Sequence, residues 1–101
     1  MFSNTNIEVE LNNLNLDEYQ LIDVRDPMTA GMEPITSFPH KNIPLDMFRY
    51  GLPEDISPDG KYIFSCYHGI SSLELTQWLR NNGFTNAFSL KGGYEAIRQL
   101  Q

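Results

Sequence analysis

The stretch KYIFSCYHGISS, residues 61–72, decides the fold of this chain. Its first half, Lys61–Cys66, is apolar and aromatic over the length of a buried strand, and we predict that it forms the central strand of a sheet. Ser71 and Glu74 have the spacing of a capping box, in which two side chains satisfy the free amides of a new helix. A strand that turns directly into a helix is the basic unit of an α/β fold.

Strands and helices are predicted to alternate on both sides of this stretch. The pattern indicates strands near Ile7–Leu11, Leu21–Arg25, Lys41–Leu45 and Ala87–Leu90, with a final helix after Gly92-Gly93. Residues 28–40 are predicted to be irregular apart from one helical turn. The alternation predicts an α/β fold with a mostly parallel sheet, in which sites form where loops leave the carboxyl ends of the strands.

The helix that begins at Ser71 is predicted to bury one face. Leu75, Trp78 and Leu79 recur at helical spacing and are predicted to lie in the core, and Asn82-Gly83 is a typical helix end. Earlier in the chain, Asp46 is predicted to cap a short helical turn.

The composition narrows the functional classes. The chain has 101 residues, with 7 Lys and Arg against 13 Asp and Glu, so its net charge is −6. This balance disfavours nucleic acid and anionic membranes as partners, because little basic charge is present to displace counterions. No stretch approaches the roughly 20 apolar residues of a membrane helix, and Met1–Leu11 does not resemble a signal peptide. We expect a single cytoplasmic domain that binds neither nucleic acid nor membrane.

Cys66 is the only cysteine, so it forms no disulfide within the chain and no multi-cysteine zinc site. His40 and His68 are the two histidines, and neither has a partner at ligand spacing. We therefore expect no metal and no cofactor.

Cys66 is predicted to lie at the carboxyl end of the central strand, just before a helix. The amides of a tight loop that enters a helix converge there, and the helix dipole adds partial positive charge. Both stabilise a thiolate and lower its pKa. Gly69 lets the loop curve closely around the sulfur. A reactive nucleophile is one interpretation, and an inert buried hydrophobe is the other.

Several other residues have two interpretations. His68 could act as a base or lower the pKa of the Cys66 thiol, or it could be an exposed loop residue, and we favour the exposed loop residue. Asp23 and Arg25 are expected to form a structural ion pair, although Arg25 is also placed to hold a substrate. A set of apolar residues belongs either to the core or to an adaptable rim for a partner: Met28, Met32, Met47 and Phe48.

Four segments in register resemble the rhodanese-like sulfurtransferase domains. Cys66–Ser72 is similar to the family's active-site loop, and Leu21–Pro27 is similar to its early strand with Asp-Val-Arg. Asn42–Leu45 resembles the Asn-Ile-Pro-Leu segment, and Phe88–Ala96 resembles the closing strand with its Gly-Gly turn.

The resemblance implies one rhodanese-like domain over residues 1–101, with about five strands and helices on both faces. It implies that the thiolate of Cys66 takes a sulfane sulfur from thiosulfate or a persulfide and passes it to cyanide, a thiol or a protein. The loop residues implied to hold the transferred sulfur are Tyr67, His68, Gly69, Ile70 and Ser71.

Ser71 departs from the family pattern, since many members that use thiosulfate have Arg there. No Lys or Arg lies between Cys66 and Trp78, and Lys91 is the nearest candidate to replace it. We expect thiosulfate to be a poor donor, because one contact to an oxyanion contributes about 2–4 kcal/mol. A Cys-x5-Arg phosphatase loop is excluded, because Ser72 occupies the arginine position.

Two other functions are compatible with these residues. A binding or redox-sensing module would keep the fold without turnover. A sulfur carrier would receive its sulfur from a cysteine desulfurase and deliver it to one partner protein. Persulfide formation on Cys66 distinguishes the first of these from a sulfurtransferase.

Overall fold

A five-stranded parallel sheet forms the centre of the protein in the computed structural model, which describes residues 7–101. Residues 1–6, part of the segment in which we predict no signal peptide, lie outside the described residues. The strands are β1 (Glu8–Val9), β2 (Gln20–Asp23), β3 (Lys41–Asn42), β4 (Tyr62–Ser65) and β5 (Ala87–Leu90). The helices are α1 (Pro27–Met32), α2 (Ser71–Asn81) and α3 (Gly93–Ile97), with short 3-10 turns at Leu11–Asn13, Leu45–Phe48 and Arg98–Leu100.

The strand order is β1-β5-β4-β2-β3, and every neighbouring pair is parallel. The prediction that residues 61–66 supply the central strand is confirmed, because β4 pairs with β2 on one side and with β5 on the other. Since all strands run in the same direction, their carboxyl ends lie at one edge of the sheet. Asp23, Cys66 and Leu90 are brought together at this edge.

Alternating side chains of the strands fill two cores, one on each face of the sheet. In β4, Tyr62 and Phe64 belong to one core and Ile63 to the other, as the two-residue period of a strand requires. Leu75 and Leu79 of α2 pack in the first core, and Ile97 at the end of α3 packs in the second. The predicted α/β fold with helices on both faces is confirmed.

The predicted capping box at the start of α2 is wrong. Ile70 occupies the N-cap position, and no side chain caps the helix there. Ser71 is already the first helical residue, so its hydroxyl is past the cap. The free amide of Ser72 instead donates to the sulfur of Cys66 at 3.3 Å. The cysteine of the preceding loop therefore takes the place of the predicted cap.

The other end of α2 is as predicted. Asn82 is the C-cap, and Gly83 follows with a φ of +98°. The amide of Phe84 donates to the carbonyl of Leu79 at 3.1 Å, which is a typical hydrogen bond at a left-handed helix end. The prediction that Trp78 is in the core is wrong, since it is 46% exposed. Leu75 and Leu79 are buried, and Trp78 lies at the border of their face.

Differences elsewhere have local causes. Asp26-Pro27, predicted to end a strand, lies beyond the end of β2 at Asp23 and begins α1 instead, because Asp26 accepts a hydrogen bond from the amide of Thr29 at 2.9 Å and proline suits the first helical position. The predicted cap by Asp46 is wrong, since the 3-10 turn begins at Leu45, whose amide donates to Val24 at 3.0 Å. The edge strand predicted over Ile7–Leu11 is limited to Glu8–Val9.

The helices are short. The longest, α2, has 11 residues, and in residues 7–101 no helix is long and apolar enough to cross a membrane.

Candidate active site

Cys66 follows β4 directly, and its sulfur is surrounded by hydrogen-bonding groups of the loop and of α2. The amide of Gly69 lies 3.1 Å from the sulfur, and both the amide and the hydroxyl of Ser72 lie 3.3 Å from it. The residue is only 7% exposed, yet it lines an open cleft. The sulfur thus lies at the bottom of a cleft, held by donors from two sides.

These contacts favour the thiolate. Burial raises the pKa of the Cys66 thiol, because it removes water from the charged form. The hydroxyl and amide of Ser72 and the amides of Gly69 and His68 oppose this effect, since each stabilises the negative sulfur. Together they outweigh burial, and the pKa lies below its ordinary value. The loop is therefore arranged to stabilise the thiolate form of Cys66.

A second serine lies behind the first. The hydroxyl oxygens of Ser72 and Ser89 are 2.8 Å apart, and both residues are fully buried. When the sulfur is ionised, the hydroxyl of Ser72 donates to it and accepts from Ser89. We refer to Cys66, Gly69, Ser72 and Ser89 as the sulfur cradle.

Sequence reasoning did not predict a role for Ser72 or Ser89. One signal was available, because Ser89 is a polar residue in the otherwise apolar strand Ala87–Leu90. Its partner lies 17 positions earlier in the sequence, and only the packing of α2 on β5 brings the two together.

The amino end of α3 fixes the loop. The amide of Tyr94 donates a hydrogen bond to the carbonyl of Cys66 at 2.8 Å. The amide of Glu95 donates one to the carbonyl of Tyr67 at 3.0 Å. Gly93 has a φ of +56°, and a Cβ placed there would overlap the carbonyl of Cys66. Gly69, with a φ of +91°, faces the same turn, where a Cβ would come within 2.8 Å of the amide nitrogen of Gly92. Two glycines therefore allow the loop and the Gly-Gly turn to touch.

The cleft has a volume of about 330 Å³. Residues 24–27 and 29 form one wall, residues 44–46 form another, and Cys66, Tyr67 and Ser71 complete it. The carboxyl ends of β2 and β4 thus contribute to one site, as is usual for a parallel sheet.

Two acidic side chains dominate the charge of the cleft. The guanidinium of Arg25 is bound to Asp23 through hydrogen bonds of 3.0 and 2.9 Å, and both residues are buried. The predicted ion pair is therefore present, and it neutralises the cation. Asp26 and Asp46, which line the cleft and are exposed, leave it with negative charge.

The predicted substrate-binding residues have different positions. Gly69 contacts the sulfur through its amide, whereas Ser71 lines the cleft and Ile70 is largely exposed. Tyr67 lines the cleft and donates its hydroxyl to Glu33 at 2.7 Å, which raises the pKa of Tyr67. The ring of His68 is exposed, lies against Tyr67, and is 3.8 Å from Glu95. Its side chain faces away from the sulfur cradle, while its amide contributes to it.

The residue predicted to replace the missing arginine, Lys91, does not contribute its side chain to the cleft. Lys91 is exposed at the end of β5 and is not among the residues that line the cleft. In the described part of the chain, no three His, Cys, Asp or Glu side chains cluster in a way that would hold a metal ion.

Comparisons with known proteins agree with this architecture. The family model for the rhodanese-like domain matches residues 8–100. The chain belongs to the rhodanese-like domain family, and the resemblance of its four segments to that family is confirmed.

Similar proteins include bacterial and plant relatives. Thiosulfate sulfurtransferase GlpE of Stutzerimonas stutzeri is 36% identical over 81 residues, which cover 77% of this chain and 69% of that protein. Rhodanese-like/PpiC domain-containing protein 12 of Arabidopsis thaliana is 31% identical over 84 residues, 80% of this chain but only 27% of the plant protein.

Solved structures show the same fold. A rhodanese-related protein from Thermoplasma volcanium superposes with a TM-score of 0.75 at 23% identity, covering 93% of this chain and 92% of that one. The human single-domain sulfurtransferase TSTD1 superposes with a TM-score of 0.72 at 23% identity, covering 93% and 96%. The shared fold places the Cys66 loop of this chain within a known architecture.

Proposed function

We propose that this protein is a sulfurtransferase that carries a sulfane sulfur as a persulfide on Cys66. The observation that carries the proposal is the sulfur cradle, in which Gly69 and Ser72 hold the sulfur at 3.1–3.3 Å at the bottom of an open cleft. Membership in the rhodanese-like family and the similarity to proteins named thiosulfate sulfurtransferase support it.

The first half-reaction loads the cysteine. The thiolate of Cys66 attacks the outer sulfur of a donor R–S–SH, a new S–S bond forms, and the S–S bond of the donor breaks. The products are Cys66–S–SH and R–S⁻, so one negative charge is present before and after the step. The hydrogen bonds that lower the pKa of Cys66 raise the fraction of thiolate available for this attack.

The second half-reaction unloads it. An acceptor thiolate R′–S⁻ attacks the outer sulfur, giving R′–S–SH and the thiolate of Cys66. The inner sulfur is now the leaving group, and the hydrogen bonds from Ser72 and Gly69 that stabilise the free thiolate also stabilise its departure. The two steps predict ping-pong kinetics.

The charge of the cleft bears on the choice of donor. Thiosulfate is a dianion, and Asp26 and Asp46 line the space that it must enter. Ser71 supplies no positive charge at the position where many family members have Arg. We therefore propose that thiosulfate loads Cys66 more slowly than a persulfide does, with a thiol, cyanide or a protein as the acceptor.

The test is the intact mass of the protein after incubation with thiosulfate and, separately, with cysteine persulfide. The expected result is a gain of one sulfur atom that a reductant removes and that Cys66→Ser does not show. The variant is checked for folding by circular dichroism. No gain with either donor would overturn the proposal and favour a non-catalytic binding or redox-sensing module, or a carrier that a partner alone can load.

A further inference from the structure

Exposed apolar side chains gather around the mouth of the cleft. Met28 and Met32 lie on α1, which forms one wall, and they are 73% and 77% exposed. Leu45 lines the cleft, and Met47 directly follows Asp46, another lining residue. Ile70 precedes Ser71 in the loop and is 67% exposed. We call these residues the cleft rim: Met28, Met32, Leu45, Met47 and Ile70.

The exposure of the cleft rim decides which of the apolar residues considered in the sequence analysis belong to the core and which belong to the surface. Of the four residues assigned either to the core or to an adaptable rim, Phe48 is buried in the core, whereas Met28, Met32 and Met47 are exposed. Methionine is flexible and polarisable, and it adapts to partners of different shape. Exposed apolar side chains beside a cleft are typical of a surface that a larger partner covers.

The charges beside the cleft rim indicate the character of that partner. Asp26 and Asp46 both line the cleft, and Arg25 is neutralised by Asp23. The amide and hydroxyl of Thr29 lower the pKa of Asp26 and keep it ionised. Arg49 lies 3.9 Å from Asp46, where it offsets part of one charge. With a net charge of −6, the protein attracts a basic surface and repels an acidic one.

We propose that the cleft rim is the docking surface for a protein that presents a cysteine persulfide on an exposed segment with apolar and basic side chains. This inference rests on the proposed function and names the donor class. Basic side chains of the segment lie against Asp26 and Asp46, its apolar side chains cover Met28 and Met47, and its outer sulfur reaches Cys66. A second copy of this chain fits poorly, because it would bring the same acidic residues.

The test compares three donors under identical conditions. Two persulfidated peptides share the core Leu-Cys-Leu, one flanked by lysines and the other by glutamates, and cysteine persulfide is the small donor. Intact mass at timed quench points measures the rate at which Cys66 gains a sulfur. We expect the lysine peptide to load about ten times faster than the glutamate peptide at low ionic strength, and the ratio to shrink severalfold at about 0.5 M salt.

Variants locate the surface. The measured quantity is the loading rate with the lysine peptide divided by the rate with cysteine persulfide. We expect Met28→Gln and Asp46→Asn each to lower this ratio about threefold to fivefold. Leu100→Gln and Asp59→Asn are matched controls, because both residues are exposed and neither lines the cleft nor lies next to a residue that lines it. Both controls are expected to keep the ratio of the wild type.

The outcomes separate this inference from the function on which it rests. If cysteine persulfide loads Cys66 but the two peptides load at equal rates, the docking surface is overturned and the sulfurtransferase stands. The same holds if the rim variants behave like the controls. If none of the three donors loads Cys66, the proposed function fails and the inference fails with it.

Discussion

The sulfur cradle and the cleft rim border the same cleft but differ in burial, polarity and hydrogen bonding. In the cradle, Ser72 and Ser89 are fully buried and hydrogen-bonded to each other, and Cys66 is 7% exposed. On the rim, Met28 and Met47 are exposed and lie next to exposed carboxylates. The difference indicates a division of tasks: the cradle determines the reactivity of the sulfur, and the rim determines which molecules reach it.

The cradle depends on a backbone contact, so the largest effect is expected from Gly93→Ala. A Cβ at residue 93 overlaps the carbonyl of Cys66, and φ is +56°. We expect a loss of about 3 kcal/mol or more in the free energy of unfolding, because backbone collision adds to backbone strain. Chemical denaturation measures this loss, and sulfur uptake by Cys66 is expected to fall with it.

The matched control is Gly83→Ala. Gly83 also has a positive φ, +98°, but nothing lies within 4 Å of a Cβ there. Gly83→Ala is therefore expected to lower the free energy of unfolding by only about 1 kcal/mol, which is the strain of the left-handed conformation alone. Equal losses in the two variants would show that the contact between Gly93 and the loop has no energetic role.

The next largest effect is expected from Ser72→Ala, which removes a hydroxyl donor to the sulfur and leaves the amide. The pKa of Cys66 is expected to rise, because a charge-assisted hydrogen bond favours the thiolate. The rate of alkylation by iodoacetamide at neutral pH should fall about tenfold. Its pH profile should move to higher pH, which a merely structural change would not cause. Ser57→Ala, in an exposed turn, is the control, and an unmoved profile would remove Ser72 from the cradle.

The parts that were predicted correctly depend on local sequence. The length and apolarity of Lys61–Cys66 indicate a buried strand, and Asn82-Gly83 supplies residues that commonly end a helix. The predicted approach of the Gly69 loop to the sulfur of Cys66 is present, because both residues lie in one short loop and the amide of Gly69 is 3.1 Å from the sulfur. The pairing of Ser72 with Ser89 depends on how α2 packs against β5, which no local pattern contains.

The wrong predictions have a similar origin. Ser71 and Glu74 have the correct spacing for a capping box. The amide of Ser72, however, donates its hydrogen bond to the sulfur of Cys66. A rule based on the spacing of Ser71 and Glu74 does not consider an acceptor such as Cys66, which precedes the helix in the chain. Trp78 was placed in the core by its spacing from Leu75, yet it lies at the border of the buried face. Periodicity identifies the face of a helix more reliably than its border.

A change in the lining of the cleft that leaves the cradle intact sharpens the comparison. Ser71→Arg places a cation on the lining of the cleft, where Asp26 and Asp46 now dominate. Loading by thiosulfate is expected to increase about fivefold, because the sulfonate gains a charged partner. Loading by cysteine persulfide is expected to change less than twofold. Timed mass measurements with both donors give the two rates.

The control for Ser71→Arg is Asn81→Arg, which adds the same charge at the far end of α2. An equal gain in thiosulfate loading from both variants would mean that net charge, rather than the residue at position 71, limits this donor. No gain in either would mean that the negative charge of the cleft does not control the choice of donor.

The smallest effect is expected from Ser89→Ala, because Ser89 acts on the sulfur only through Ser72. Its hydroxyl lies 2.8 Å from that of Ser72, and removing it leaves Ser72 able to donate to the thiolate but without a donor behind it. Chains of hydrogen bonds polarise one another, so the bond to the sulfur weakens. We expect alkylation at neutral pH to slow about twofold to threefold, with a shift of the pH profile in the same direction as in Ser72→Ala but smaller. The double variant Ser72→Ala/Ser89→Ala should then match Ser72→Ala in its profile, since Ser89 has no other route to the sulfur. A further shift in the double variant would show that Ser89 stabilises the thiolate independently of Ser72, and the cradle would then contain two donors in parallel rather than one behind the other.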